Sequence, residues 1–125
     1  MNMWGKQFYY LHNRTKNSGL SPIEAVTLAE QSGAGEVFLN SIERDGTRSG
    51  YDLELIRSVA SSIKIPLVAC GGANDLNDCL KAIEAGASAV AAGSIFVYSK
   101  GTDSVLINYP SEKDLMNLLY LKLQQ

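Results

Sequence analysis

Three short stretches place chemistry-bearing residues at comparable points: Asn40-Ser41 with Asp45-Gly46 close behind, Cys70-Gly71-Gly72, and Gly93-Ser94. Each follows an apolar run and joins small residues to a polar side chain. Two successive runs that end in glycine and lead towards a helix start suit an anion such as phosphate. Backbone N–H groups and the helix dipole both favour negative charge there. Tight turns are the competing explanation, because glycine-rich links between strands and helices are common. Asp45 before Gly46 fits either an ordinary turn or a carboxylate that holds a substrate hydroxyl or ring. Arg44 and Arg48 flank it, and either steer a phosphorylated substrate or belong to a solvated loop. Cys70 has no base near it in the pattern to activate it, so a packing role is expected. His12 is the single histidine. It has no companion at metal-ligand or triad spacing, so neither a metal site nor a catalytic triad is expected.

These residues need elements to position them. Ser21-Pro22-Ile23-Glu24 is a strong helix start, with serine as cap, proline at the first helical position and glutamate at the third. Ile23, Val26 and Ala29 recur at helical spacing, and Gly33 ends the helix. Glu36–Ile42 then reads as a strand, followed by a turn-rich loop from Glu43 to Gly50. Asp52 caps a second helix with Ile56, Val59, Ala60 and Ile63 at i, i+3, i+4 and i+7. Ile65–Cys70 is a nearly all-apolar strand, as expected when both faces of a parallel sheet are buried. Asp75 caps a third helix carrying Leu76, Cys79, Leu80 and Ile83 in phase, closed by Gly86. Ser88–Gly93 is a third short strand and Ser94–Tyr98 a further helical turn. A terminal helix starts near Ser111, with Leu115, Leu118 and Leu119 on one face. At the other end, Trp4-Gly5 and Phe8–Leu11 read as one strand of an aromatic hairpin leading into the polar loop His12–Gly19.

"QSGAGEV" (31–37) and "EAGASAV" (84–90) echo each other as helix end, short link and apolar strand. Alternating helices and strands with tight links imply βα units and a parallel sheet with right-handed crossovers. Every strand of such a sheet delivers its C-terminal end to one face, where ligands bind. Asn40 and Asp45, Cys70 to Gly72, and Gly93-Ser94 all belong to that face. Glu36 opens the first strand at the opposite face, as a solvent-exposed strand start or as charged lining at the bottom of a barrel. A closed eight-stranded barrel needs about 250 residues. The expectation is therefore an α/β fold, part of a (βα)8 barrel or a small open sheet, forming one domain over residues 1–125.

Hydrophobic residues make up 46% of the chain and charged residues 19%, a globular balance. A net charge of −2 without a basic stripe argues against a nucleic-acid partner. Apolar runs such as Ala89–Ala92 are far too short to span a bilayer, and the first residues lack a signal-peptide pattern. Cys70 and Cys79 lie nine apart, outside any C-x-x-C spacing, and read as reduced thiols of a cytoplasmic protein.

With Gly33–Ile56, "IPLVACGGANDL" and "ASAVAAGSIF" assembled, the chain resembles the C-terminal portion of the cyclase subunit of imidazole glycerol phosphate synthase. The likeness runs from about Trp4 to Phe96 and is most diagnostic over Gly33–Leu55. It implies a (βα)8 TIM-type barrel in which the three strands are the sixth to eighth, with the aromatic hairpin in the loop after the fifth. The family takes ammonia from a glutaminase subunit and closes an imidazole ring on a bis-phosphorylated ribulosyl-aminoimidazole, with no cofactor. By resemblance, Gly71, Gly72, Gly93 and Ser94 match one of its two phosphate sites. Asn40, Asp45, Gly46 and Cys70 line the substrate cleft, and Glu36 belongs to the charged gate through which ammonia enters. The family's catalytic acid and base are aspartates at the ends of the first and fifth strands, ahead of Met1, and so is its second phosphate site. None of the residues here is therefore expected to be catalytic. Asn74 replaces a usual glycine, and Cys70 a common serine. "VLINYPSEKDL" (105–115) resembles a paralogous branch associated with bacterial surface polysaccharide, where delivered ammonia amidinates a nucleotide-linked sugar. Open sheet edges invite an N-terminal half-barrel or a second copy, and a non-catalytic phosphate-binding or interaction module is a third possibility.

Overall fold

Ser21 closes a reciprocal capping box: its hydroxyl accepts the Glu24 amide at 3.3 Å, and the Glu24 carboxylate accepts the Ser21 amide at 2.8 Å. That box opens helix α1, Pro22–Gln31. The computed structural model describes residues 2–3, 6–7, 9–11, 16–98 and 107–124. Trp4, Gly5, Phe8, His12 and Gly101 lie outside them. Gly33 ends α1 with φ +95°, and the Ala34 amide reaches back to the Ala29 carbonyl at 3.0 Å. The same ending recurs at Gly86, φ +113°, where Ala87 donates to Ala82 at 3.1 Å. The sequence echo is therefore a repeated helix-termination motif in which a left-handed residue frees the last carbonyls for local partners.

After α1 the chain runs β5 (Val37–Asn40), α2 (Leu53–Ala60), β6 (Leu67–Cys70), α3 (Leu76–Glu84) and β7 (Ala89–Val90). The three strands form one parallel sheet in chain order, with Phe38 beside Val68 and Val68 beside Ala89. Val37, Leu67 and Ala69 are buried in one core with Leu55, Ile56, Val59, Leu80 and Ala82 of the helices. The other face of the sheet is open. Phe38 is 61% exposed, Asn40 and Ala89 are exposed, and Val68 and Cys70 are half-buried. This corrects the expectation of burial on both faces. Apolar residues crowd β6 because its position calls for cover on each side, and among the described residues only the helix side is covered.

The strands are shorter than their apolar runs. The ladder of β5 ends where the Ser41 amide meets the Cys70 carbonyl, 3.1 Å, and the Arg44 and Asp45 amides then fold back onto the Ser41 carbonyl. Likewise α2 stops at Ala60, with the Ser61 and Ser62 hydroxyls donating to the Ser58 and Val59 carbonyls, while Ile63 is buried beyond it. Preceding these units are two small antiparallel hairpins, β1 (Asn2–Met3) with β2 (Lys6–Gln7) and β3 (Tyr10–Leu11) with β4 (Lys16–Asn17). Of the expected aromatic strand, Tyr10 and Leu11 pair with Asn17 and Lys16, while Asn2 and Met3 pair with Gln7 and Lys6.

Following β7 come α4 (Ser94–Val97) and a terminal helix built from α5 (Glu112–Leu115), a π turn (Met116–Tyr120) and α6 (Leu121–Leu123). Ser111 caps it, accepting the Asp114 amide at 3.2 Å. Only Leu119 of its expected apolar face is buried, and Leu118 is 45% exposed. The π turn's extra residue shifts the phase of the stripe. Among the described residues no helix is long and apolar enough to cross a membrane.

Candidate functional site

Gly71 and Gly72 both adopt left-handed backbone, φ +97° and +99°. A side chain at Gly71 would lie 2.7 Å from Asn40 Oδ1 and from the Ser41 carbonyl. One at Gly72 would lie 2.3 Å from the Gly50 carbonyl and 2.9 Å from Arg44 Cβ. The Gly50 amide also donates to the Gly72 carbonyl at 2.7 Å. What approaches this glycine pair is the chain's own loop from Ser41 to Gly50, packed against the end of β6.

That packing leaves a cavity of about 70 Å³ lined by Asp45, Gly46, Cys70, Gly71, Gly72, Ala73, Ala92, Gly93 and Ser94. At about 15 Å³ for each water-sized sphere, it has room for a handful of heavy atoms, the size of a phosphate group. It gathers all four residues singled out for an anion with Asp45, Gly46 and Cys70. Gly93 faces open space, with nothing within 4 Å of an added Cβ, and it precedes the first turn of α4. The α3 N-terminus is occupied by the chain's own carboxylates. Asp75 accepts the Asp78 amide at 3.0 Å, and Asp78 accepts the Asn74 amide at 3.2 Å. The helix start that borders the cavity is thus α4, not α3.

Asn40 stands beside the cavity, its amide donating to Asp45 Oδ2 at 3.4 Å. It lines the large groove of about 960 Å³ between β5 and α1, together with Asp45, Glu36, Phe38, Ala29 and Tyr9. Glu36 is exposed at the start of β5 and is not brought to the small cavity. Burial, then the charge of Asp45, pushes the Cys70 thiol above its ordinary value, against the Gly71 amide that favours the thiolate. The sulfur is accordingly a protonated lining group at neutral pH. Arg44 braces its own loop through the Ser49 and Gly50 carbonyls, 3.4 Å each. Arg48, at φ +56°, sets its guanidinium 5.5 Å from the centre of the Tyr98 ring.

Two residues passed over in the sequence tie the site together. Tyr51 is 4% exposed, and its hydroxyl donates to the Ala91 carbonyl at 2.8 Å. Burial, then the Cys79 thiol 4.0 Å away, holds that hydroxyl well above its ordinary value. Glu30 of α1 accepts the Lys64 and Ile65 amides at 2.7 and 3.1 Å, fixing the approach to β6. Only the "GYD" setting of Tyr51, between a loop glycine and a helix cap, offered a local signal.

The profile of the histidine biosynthesis protein family matches residues 3–102. The chain belongs to that family. Its three parallel strands with their helices are part of a (βα)8 barrel wall, and the open face of the sheet is the one a closed barrel turns inward. A Pseudomonas aeruginosa relative, named provisionally as imidazole glycerol phosphate synthase subunit hisF2, is 42% identical over 113 residues, covering 90% of this chain and 45% of the relative. The imidazole glycerol phosphate synthase subunit HisF of Bifidobacterium longum is 53% identical over 83 residues, 66% of this chain and 32% of that protein. The chain thus spans less than half the length of these relatives. A solved structure of a FabK mutant from Thermotoga maritima aligns with a TM-score of 0.51 and 29% identity, over 67% of this chain and 29% of that one.

Proposed function

We propose that this chain forms the C-terminal part of an imidazole glycerol phosphate synthase cyclase barrel. The completed barrel takes ammonia from a glutaminase subunit and closes the imidazole ring of a phosphoribulosyl-formimino-aminoimidazole substrate in histidine biosynthesis. The observation that carries the reading is the small cavity, where Gly71, Gly72, Gly93 and Ser94 surround a space of about 70 Å³ at the C-terminal ends of adjacent parallel strands. In this reading they hold one phosphate of the substrate. Asp45, fixed by Asn40, and Cys70 border the path from that phosphate to the groove, and Glu36 lies at the far end of β5, where ammonia enters. The acid and base come from the N-terminal strands of the completed barrel, so this chain contributes binding and positioning rather than proton transfer.

The test combines the chain with an N-terminal half-barrel from a HisF relative and measures ammonia-dependent ring closure. Turnover that disappears without either half supports the reading. Phosphate binding without turnover, in a barrel shown to assemble, favours a non-catalytic module instead. A second reading, ammonia-dependent amidination of a nucleotide-linked sugar for surface polysaccharide, rests on the resemblance of "VLINYPSEKDL" (105–115) to a paralogous branch. Offering both substrates to the same assembled barrel separates the two.

A further inference from the structure

Residues 50 and 51 touch both rims of the cavity. The Gly50 amide holds the Gly72 carbonyl at 2.7 Å, and the next residue sends its side chain through the core to the Ala91 carbonyl at 2.8 Å. Gly72 belongs to the rim after β6, while Ala91 sits two positions before Gly93 in the rim after β7. The Ala91 amide is already spent on the Ala69 carbonyl, 2.8 Å. Its carbonyl lies beyond the last rung of β7, a strand of only two residues with one neighbour in the sheet among the described residues. A phenol buried to 4% exposure has to satisfy its hydroxyl, and this one does so on the backbone of that rim.

We propose that Tyr51 is a positioning residue for the anion cradle: its bond to Ala91 fixes Gly93 and Ser94 at the spacing from Gly71 and Gly72 that a phosphate group needs. The inference rests on the phosphate reading of the cavity. Tyr51 does not line that cavity and acts only through the backbone it holds. Phenylalanine keeps the ring and its packing and removes the one atom that reaches Ala91.

The experiment titrates inorganic phosphate into the 125-residue chain, following amide NMR shifts and hydrogen exchange, for the wild type, Tyr51→Phe and Cys79→Ala. The cysteine variant removes the other neighbour of the hydroxyl and leaves the Ala91 bond. In Tyr51→Phe the phosphate Kd is expected to rise about threefold to tenfold, the size of one ordinary hydrogen bond. The Ala91 and Phe96 amides, bonded to the Ala69 and Gly93 carbonyls, should exchange faster while the rest of the spectrum is retained. Cys79→Ala should stay within about twofold of wild type on the same scale. Unchanged phosphate affinity in Tyr51→Phe overturns the inference, and so does an equal loss in both variants, which marks general loosening of the core. Loss of the folded spectrum in Tyr51→Phe also counts against it, since a positioning role leaves a folded chain with one displaced rim. A wild type that ignores phosphate sinks the phosphate reading. Exchange at Ala91 and Phe96 then still decides whether Tyr51 holds that rim.

Discussion

Replacing Gly72 with alanine should nearly unfold the chain, whereas the same change at Gly93 should leave it standing. The Gly72 methyl would sit 2.3 Å from the Gly50 carbonyl oxygen and 2.9 Å from Arg44 Cβ, closer than such atoms pack. Relief requires the Ser41–Gly50 loop to retreat, which breaks the 2.7 Å bond from the Gly50 amide to the Gly72 carbonyl. Left-handed backbone at a residue with a Cβ costs about 1–2 kcal/mol. Overpacking adds about 1–3 kcal/mol, and the lost hydrogen bond about 0.5–1.5 kcal/mol. The total, about 2.5–6.5 kcal/mol, is a large share of the stability of a domain this size. At Gly93 φ is −120° and an added Cβ meets nothing within 4 Å. Its alanine variant should therefore move stability by about 0.5 kcal/mol or less. Urea unfolding followed by circular dichroism gives both numbers. If Gly72→Ala lies within about 1 kcal/mol of wild type, or Gly93→Ala is equally damaging, the loop is not packed on the glycine pair as described.

Glu30→Ala should cost about 1–3 kcal/mol, because two amides leading into β6 lose their acceptor, with Glu30→Gln milder; thermal melts of the two variants check the order. Ser21→Ala should cost about 1 kcal/mol through loss of the α1 cap. The Ser21 amide, then its hydroxyl, hold Glu24 below its ordinary value of 4.5. A depressed folded value makes this stabilisation complete at neutral pH and removes it as pH falls through that value. Faster hydrogen exchange in the first turn of α1 should therefore appear only in acid, and the step should shrink in Ser21→Ala, which loses the hydroxyl but keeps the amide, and vanish in Glu24→Gln. Cys70, raised by burial, should alkylate slowly at pH 7 and accelerate only above its ordinary value of 9.0, ahead of the more buried Cys79. Iodoacetamide rates against pH measure this, and a midpoint below 8 would contradict the cavity's electrostatics, since pKa shifts follow burial and neighbouring charge.

Much of the scaffold could be read in the chain because its signals are local. A capping box spans four residues, Asp52 and Asp75 each cap within three, and Gly33 and Gly86 announce left-handed turns at once. The residues of the cavity were legible for a related reason: parallel strands bring their C-terminal ends together, so small residues after three successive runs had to meet. The meaning of the glycine pair was harder. Positive φ at Gly71 and Gly72 serves the loop that packs on them, and the cavity is what that packing leaves over. Tyr51 and Glu30 act across 40 and 34 positions, and no spacing rule links such distant partners. The strands were overdrawn because apolar composition continues past the last ladder bond, which neighbouring strands rather than residue type decide.

The order of the sheet bears on how the molecule is made. Each strand pairs with the one that follows it in the chain, β5 with β6 and β6 with β7. Every contact of the ladder therefore closes over a single intervening helix, which keeps loop-closure entropy low and folding fast for a parallel fold. A ribosome releases β5, α2 and β6 in that order, so the first pair can zip before β7 has left the exit tunnel. The cradle is completed only when Ala91 emerges and meets a tyrosine already in place.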